Sequence, residues 1–326
     1  MANILIALAI TTAIIIGSQE FLELRLHGLL VMAIYLLIYG GLSWLRSPQT
    51  KTLFPDDQAL DRSSWPMSGP LRGLGHTVGG LFYTAVFMLT NMLSMLNPWQ
   101  AGLVIRQLRG NGRLQAMERR TGDFGTDYQS SVPYHLPFNG EWLAFNGGLT
   151  PKTSHSWDVL GQRFAVDFVQ ADAEFCRHAK RGMHVADYHC YGEPILAAAD
   201  GTVISLENRV SDAPLVGWGF CDFLARHFAG NHIIIQHAEQ EFALYAHLIK
   251  GSITVQPGEN VKRGQVIGRC GHTGHSSEPH LHFHLQDSAD LFNGMGLPVH
   301  FHDVMIDQQR HERTHIQGGQ RVQQCP

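Results

Sequence analysis

The sequence predicts a mainly β domain, a compact antiparallel sandwich or barrel-like fold, preceded by two or three transmembrane helices. Three observations carry this. Long uncharged apolar runs gather in the first hundred residues. From about residue 122 onward, short apolar runs alternate with Gly, Pro and Asp turns, as strands joined by tight connections do. No long amphipathic helix period interrupts that second pattern.

The apolar runs cover 2–16, 28–45 and 78–96. Runs of about 18–20 apolar residues can span a bilayer. A cleaved signal peptide opens with a positive stretch. Here the first basic residue, Arg25, follows the first run, which favours an uncleaved anchor. The third run carries Asn91 and also fits a helix lying on a membrane surface or packed in a core. Arg46, Lys51, Arg62 and Arg72 against a lone Arg25 would place segment 46–77 in the cytoplasm and the C-terminal domain outside. Arg106, Arg109, Arg113, Arg119 and Arg120 argue the other way. The expected organisation is a membrane region at 1–105, a linker at 106–134, a β domain at 135–303 and a mobile tail at 304–326.

Within the β domain, Pro194-Ile195-Leu196, Thr202-Val203-Ile204, His232 to Gln236, Phe242 to Leu248 and Gln265 to Gly268 read as strands. Asp200-Gly201 between two apolar runs is a hairpin signal. Two stretches, about 170–190 and 207–230, read as loop insertions. The second carries Trp218, Phe220, Phe223 and Phe228, aromatics that either line a groove or cap the core.

The net charge is −4, without the basic surplus that nucleic-acid binding requires. The histidine count is unusual, with 20 against 24 Lys plus Arg, and points towards metal. The five cysteines are scattered without a zinc-type CxxC pattern. Cys176 and Cys190 could close a short loop in an oxidising compartment, or stand as isolated thiols.

The richest stretch is Glu278-Pro279-His280-Leu281-His282-Phe283-His284. Residues two apart on a strand share a face, so the three imidazoles project together in steps of about 6–7 Å. Metal binding and acid–base work are the leading reasons for such clustering.

Further blocks occur in order. They are Phe164 to Phe168 (FAVDF), Ala197 to Val203 (AAADGTV), Gly230 to His237 (GNHIIIQH), Leu244 to Leu248 (LYAHL), Val261 to Gly268 (VKRGQVIG) and Gly271 to Gly274 (GHTG), ending in Pro279 to Phe283 (PHLHF). This ordered set resembles the lysostaphin/LytM-type zinc metallopeptidases, which cut peptide cross-links of bacterial peptidoglycan. The resemblance covers about 135–290. It implies the LytM-type peptidase fold and one Zn2+ held by His155, Asp167 and His282. It also implies catalytic roles for His247 and His280 in water activation, oxyanion stabilisation and proton delivery, without saying which does which. His155 and Asp167 stand further apart than the family's early His and Asp usually do, and Asp158 is a rival carboxylate. His284 stands where a Glu is common, as a neighbour of the ligand shell or a rim residue. His237 is expected to be structural, and Tyr245 to pack beside the site.

Two imidazoles and one carboxylate leave a fourth tetrahedral position open, as catalytic zinc sites do. The leading expectation is therefore a membrane-anchored zinc metalloendopeptidase acting on peptidoglycan. Its expected partners are the wall peptide and membrane lipid, without nucleic acid. It is expected at the cytoplasmic (inner) membrane, multi-pass, with the catalytic domain facing the periplasm or exterior. The alternatives are a non-catalytic regulator of other wall hydrolases that keeps the fold, and a zinc peptidase directed at protein.

Overall fold

The computed structural model describes residues 10–12, 14, 38, 60–62, 64–121 and 128–326. The chain divides into two units, 1–53 and 54–326, and the elements below belong to the second. The expected spans 2–16 and 28–45 lie outside the described residues, apart from those isolated positions.

A 3-10 turn at Gly69–Leu74 leads into helix α1, Gly75–Ser94, and then helix α2, Pro98–Thr121. Asn97 starts α2: its side-chain oxygen accepts the Trp99 N–H at 3.0 Å, ahead of Pro98 at the first helical position. Thirteen strands follow among the described residues. In order they are β1 (Trp142–Asn146), β2 (Val166–Val169), β3 (Pro194–Leu196), β4 (Gly201–Glu207), β5 (Asn231–Ala238), β6 (Glu241–Leu248) and β7 (Asn260–Val261). They continue with β8 (Val266–Arg269), β9 (Leu281–Gln286), β10 (Gly296–Leu297), β11 (Phe301–Ile306), β12 (Gln309–Thr314) and β13 (Arg321–Gln324).

Eleven strands join in one sheet, in the order β12-β11-β13-β1-β2-β9-β6-β5-β4-β7, with β10 alongside β9. Strands β3 and β8 form a second, two-stranded sheet. All these strand pairs are antiparallel. The antiparallel β expectation is met, whereas the sandwich or barrel is one large sheet with a small one against it. Their shared core holds Ile195, Ala197 and Ile267 from the small sheet's side and Ile233, Ile235, Tyr245 and Phe283 from the large one. Full burial of side chains this size supplies the main stabilising term, about 1.5–3 kcal/mol each.

Three sequence expectations change, and one open alternative is decided. Asp200-Gly201 does not close a hairpin: β3 pairs with β8, and β4 with β5 and β7. Its carboxylate instead accepts the Arg263 N–H and pairs with Lys262, which steers the chain between sheets. The 106–134 stretch is no linker, because α2 runs to Thr121 and buries Leu114 against Leu160 and Met295. Its far end is also built in, since Tyr128, Ser130 and Tyr134 all donate hydroxyl hydrogen bonds to Glu241.

The 304–326 stretch is no mobile tail: β13 lies between β11 and β1, with Val322 fully buried. One half-solvated face makes such strands read as polar. Finally, Cys176 and Cys190 are free thiols. They bond to separate partners, Cys176 to the His178 carbonyl and Cys190 to the Pro279 carbonyl, each at 3.2 Å.

The helical segment is fastened to the β domain by a buried ion pair. Glu278 receives Arg177 Nε on one oxygen and the Ser68 hydroxyl on the other, both at 2.5 Å. Burial alone would raise the Glu278 pKa, but Arg177 and Ser68 overcome it and hold the carboxyl below its ordinary 4.5. Stability from this group is therefore present above pH 4.5 and is lost as pH falls through the depressed pKa. Arg177→Met strands the carboxylate, and urea unfolding at pH 7 should show a loss of about 3–5 kcal/mol. The variant should regain part of that loss on acidification, the opposite of the parent.

Candidate functional site

The site begins with strand register. Asp167 on β2 stands directly opposite His282 on β9, and Ala246 on β6 opposite His282 on the other side. Pairing of β2 with β9 therefore sets the carboxylate beside the imidazole: His282 Nδ1 lies 2.8 Å from Asp167 Oδ1. Asn146, at the end of β1, donates to Asp167 Oδ2 at 2.7 Å and fixes the carboxylate plane.

His155 arrives from the 150–163 loop, with its Nε2 3.2 Å from Asp167 Oδ2. Serines on either side pin that loop. Ser154 donates to the Arg163 carbonyl at 2.7 Å and Ser156 to the Gln162 carbonyl at 2.6 Å. The long gap between His155 and Asp167 is thus taken up by a closed excursion of chain. Asp158 is exposed and outside the cluster; its carbonyl accepts a bond from Asn111.

His247 closes β6 at φ 64°, in the left-handed region that non-glycine residues rarely enter. Such a residue costs on the order of 1–3 kcal/mol and persists only when its surroundings hold it. Here the Ala229 carbonyl accepts its backbone N–H at 3.0 Å and the Thr273 carbonyl accepts Nδ1–H at 2.8 Å. His280 precedes β9, and its Nδ1–H goes to the Glu278 carbonyl at 2.8 Å. In both rings the backbone carbonyl fixes the tautomer and leaves Nε2 as the acceptor. The two ring centroids are 4.6 Å apart, and His280 Nε2 is 3.8 Å from Asp167 Oδ1.

Electrostatics follow from burial. Burial alone would raise the Asp167 pKa, yet the rings of His155, His280 and His282 hold it well below the usual carboxylate range. Burial, then His280 and His282, pushes His247 well below its ordinary value, so it is a neutral imidazole. Burial also lowers His155, against the pull of Asp167.

His155, Asp167 and His282 each offer one ligand atom, all within 4.8 Å of one another. Tetrahedral zinc with bonds of about 2.0–2.1 Å to nitrogen and oxygen places its ligands some 3.4 Å apart. The 2.8 and 3.2 Å spacings to Asp167 come close to that edge, and the donor types suit zinc, so the residues fit the ion.

His284 is no rim residue. It is buried, with Nδ1 2.9 Å from His282 Nε2 and Nε2 3.1 Å from Gln286 Oε1. Burial and His282 push its pKa down to about 3. A neutral His284 accepts His282 Nε2–H and donates to Gln286, which leaves His282 Nδ1 free for a metal. His237 is structural as expected: it donates to the Asp200 carbonyl and receives the Tyr245 hydroxyl. Tyr245 packs on Phe283 in the core and does not line the cleft.

A cleft of about 960 Å³ opens over these groups. Tyr83, Phe87 and Asn91 of α1 and Val104 and Leu108 of α2 form one wall; Cys221 and Phe228 come from the 207–230 insertion. Of that insertion's other aromatics, Trp218 packs on Phe82 and Phe220 on Phe223. Sequence reasoning missed Asn146, the serine pair around His155, and the Ser68–Glu278–Arg177 clamp. Only the flanking serines left a local trace.

Residues 180–294 match the model of Peptidase family M23. That span holds His247, His280 and His282, while His155 and Asp167 precede it. The chain is 35% identical over 94 residues to the peptidoglycan DD-endopeptidase ShyA of Vibrio cholerae, covering 29% of this chain and 17% of ShyA. It is 35% identical over 173 residues to ShyC of the same organism, covering 48% and 34%. With the DD-carboxypeptidase/endopeptidase Mpg of Neisseria meningitidis it shares 39% over 108 residues, covering 33% and 20%. The chain thus spans 17–34% of the length of these curated relatives. Among solved structures, the catalytic domain of lysostaphin from Staphylococcus simulans aligns at 20% identity and a TM-score of 0.27, covering 53% of this chain and 91% of that one. Residues 180–294 of the β domain thus match Peptidase family M23, and the fold brings His155 and Asp167 from outside that span to His282 inside it.

Proposed function

We propose that the chain is a membrane-tethered zinc endopeptidase that hydrolyses peptide cross-links of peptidoglycan, of the D,D type named for its curated relatives. The observation that carries this is the His155–Asp167–His282 cluster opening onto a cleft that also receives His247 and His280. The apolar runs 2–16 and 28–45 are assigned as the tether, with the β domain on the wall-facing side.

Zinc held by these three donors supplies Lewis-acid polarisation of a scissile carbonyl and a water of lowered pKa. The protein's own groups do the rest. Asn146 holds the Asp167 carboxylate, and His284 holds the His282 tautomer. His247 and His280 each place Nδ1 on a backbone carbonyl and line the cleft with the rest of the ring. One takes the proton of the attacking water, and that imidazolium returns it to the leaving amine. The other ring stabilises the developing oxyanion as an N–H donor, which at Nε2 requires its imidazolium form. The apolar wall from α1 and α2 limits water around the reacting bond.

Digestion of purified peptidoglycan by the full chain in detergent, read by mass spectrometry of released muropeptides, tests the proposal. Loss of cross-linked dimers, abolished by chelator and restored by zinc, is the expected result. A folded, zinc-loaded protein that leaves every cross-link intact overturns it. His282→Ala should lose both bound zinc and turnover. His247→Ala should keep zinc at parental stoichiometry by elemental analysis, with turnover lowered about 10²–10⁴-fold.

A further inference from the structure

Helix α1 is amphipathic in the inverted sense. Its face towards the β domain carries small and polar groups: Gly79, Tyr83, Thr90 and Ser94. Its outer face carries Val78, Leu81, Met88, Leu89 and Met92, each more than half exposed, and Leu96 in the turn just after the helix is exposed too. At 100° per residue the five helical residues fall within one stripe of about 100°. A helix packed on a soluble domain normally shows the reverse polarity. Gly69–Ser94 is also the one stretch among the described residues long and apolar enough to cross a membrane.

Crossing is hard to reconcile with how α1 is held. Contacts with domain loops run along its whole length. Ser68 bonds Glu278 just before the helix, Tyr83 bonds Ser277 in its middle, and Thr90 accepts the Cys221 N–H near its end. Beyond it, Asn97 reaches the Phe223 carbonyl and Gln100 those of Asp222 and Ala225. A perpendicular helix would draw those polar loops into hydrocarbon, where their backbone groups could not be satisfied.

Charge selects the occupant of the outer face. Residues 64–117 contain no Asp or Glu, while Arg72, Arg106, Arg109 and Arg113 are exposed, Arg106 also meeting Asp290 at 3.5 Å and Arg113 the Asn293 side chain at 3.2 Å. Where α1 gives way to α2, Trp99 is 62% exposed with the Arg226 guanidinium 5.4 Å from its ring centre. Leu224, 71% exposed, projects from the loop that Gln100 holds there. Apolar stripe, arginine flank and exposed tryptophan together match a helix lying in a bilayer interface.

We propose that α1 lies in the plane of an anionic lipid surface, its Val78–Leu96 stripe in the headgroup–acyl boundary, and does not span the bilayer. This deepens the membrane location proposed above and is independent of the peptidase reading.

The test uses the full chain reconstituted into vesicles of phosphatidylglycerol and phosphatidylethanolamine. Val78→Cys, Leu89→Cys and Leu96→Cys, each in a Cys325→Ser background, carry an environment-sensitive fluorophore; the other native cysteines are buried. Depth is read by lipids bearing quenchers at shallow and deep acyl positions and by aqueous iodide. The expected result is equal, shallow depth at all three sites. Positions 78 and 96 are separated by about 27 Å along the helix, so a spanning helix would put Leu89 deep and the outer two near opposite surfaces. That pattern overturns the proposal. So does iodide quenching at all three sites, and so does shielding from both quencher types, which would mean that protein covers the face. Retention of the protein after carbonate extraction reports separately on the N-terminal tether.

Discussion

The site depends on one cross-strand pairing, Asp167 opposite His282 in the antiparallel ladder of β2 and β9. Register in a ladder is all or none: a slip of one residue turns every side chain to the other face. The flanking pairs, Val166 with Phe283 and Phe168 with Leu281, are buried core residues and lock the register hydrophobically. Carboxylate and imidazole are thereby held together whether or not an ion lies between them. Placement of the remaining groups is secondary to that pair. His155 is brought to Asp167 by a pinned loop, and His247 and His280 are turned inward by backbone carbonyls.

The electrostatics have the same root. Asp167 is a single buried carboxylate among four imidazoles, three of which hold its pKa down. Its negative charge is what makes a tight histidine cluster tolerable in a region of low dielectric. His247 meets the opposite condition. It is buried beside other imidazoles and donates Nδ1–H to a neutral carbonyl, so it remains uncharged and basic at Nε2. Two imidazoles in one cleft thus lie in different surroundings, one next to the ligand carboxylate and one sealed behind it.

Much of this was legible along the chain. The strands carrying His232 and His247 stand out by their apolar runs, Ile233 to Ile235 and Phe242 to Ala246, as central strands buried on both faces require, and the strand carrying His282 by its alternating histidines. The His-x-His spacing and the Ala165-Val166-Asp167-Phe168 block pointed to the candidate ligands through the family resemblance they carry. What escaped was non-local. The Asp200-Gly201 dipeptide has hairpin composition, yet its carboxylate is claimed by Lys262 and Arg263, roughly sixty residues away. Glu278 reads as one more polar residue beside the histidines, and only the fold brings Arg177 and Ser68 to it. Strands β12 and β13 read as a polar tail because their apolar side chains are sparse and one face is wet. Helix α2 lacked a clear apolar stripe and was read as connector. Its anchoring is by a few specific contacts, among them Glu118 with Arg163 at 2.6 Å.

Strand β13 has a consequence in time. It is inserted between β11 and β1, and β1 is the neighbour that supports β2 and Asp167. The partners Trp142 and Val322 are nearly at opposite ends of the β domain's sequence. Contacts this distant must await closure of a long loop, which makes them slow to form. On a ribosome the sheet stays open at β1 until residues 321–324 have left the exit tunnel. Synthesis therefore runs through the whole peptidase domain before the ligand set gains its final lateral support. The order of the strands therefore makes the lateral support of the Asp167 strand one of the last contacts that translation can supply.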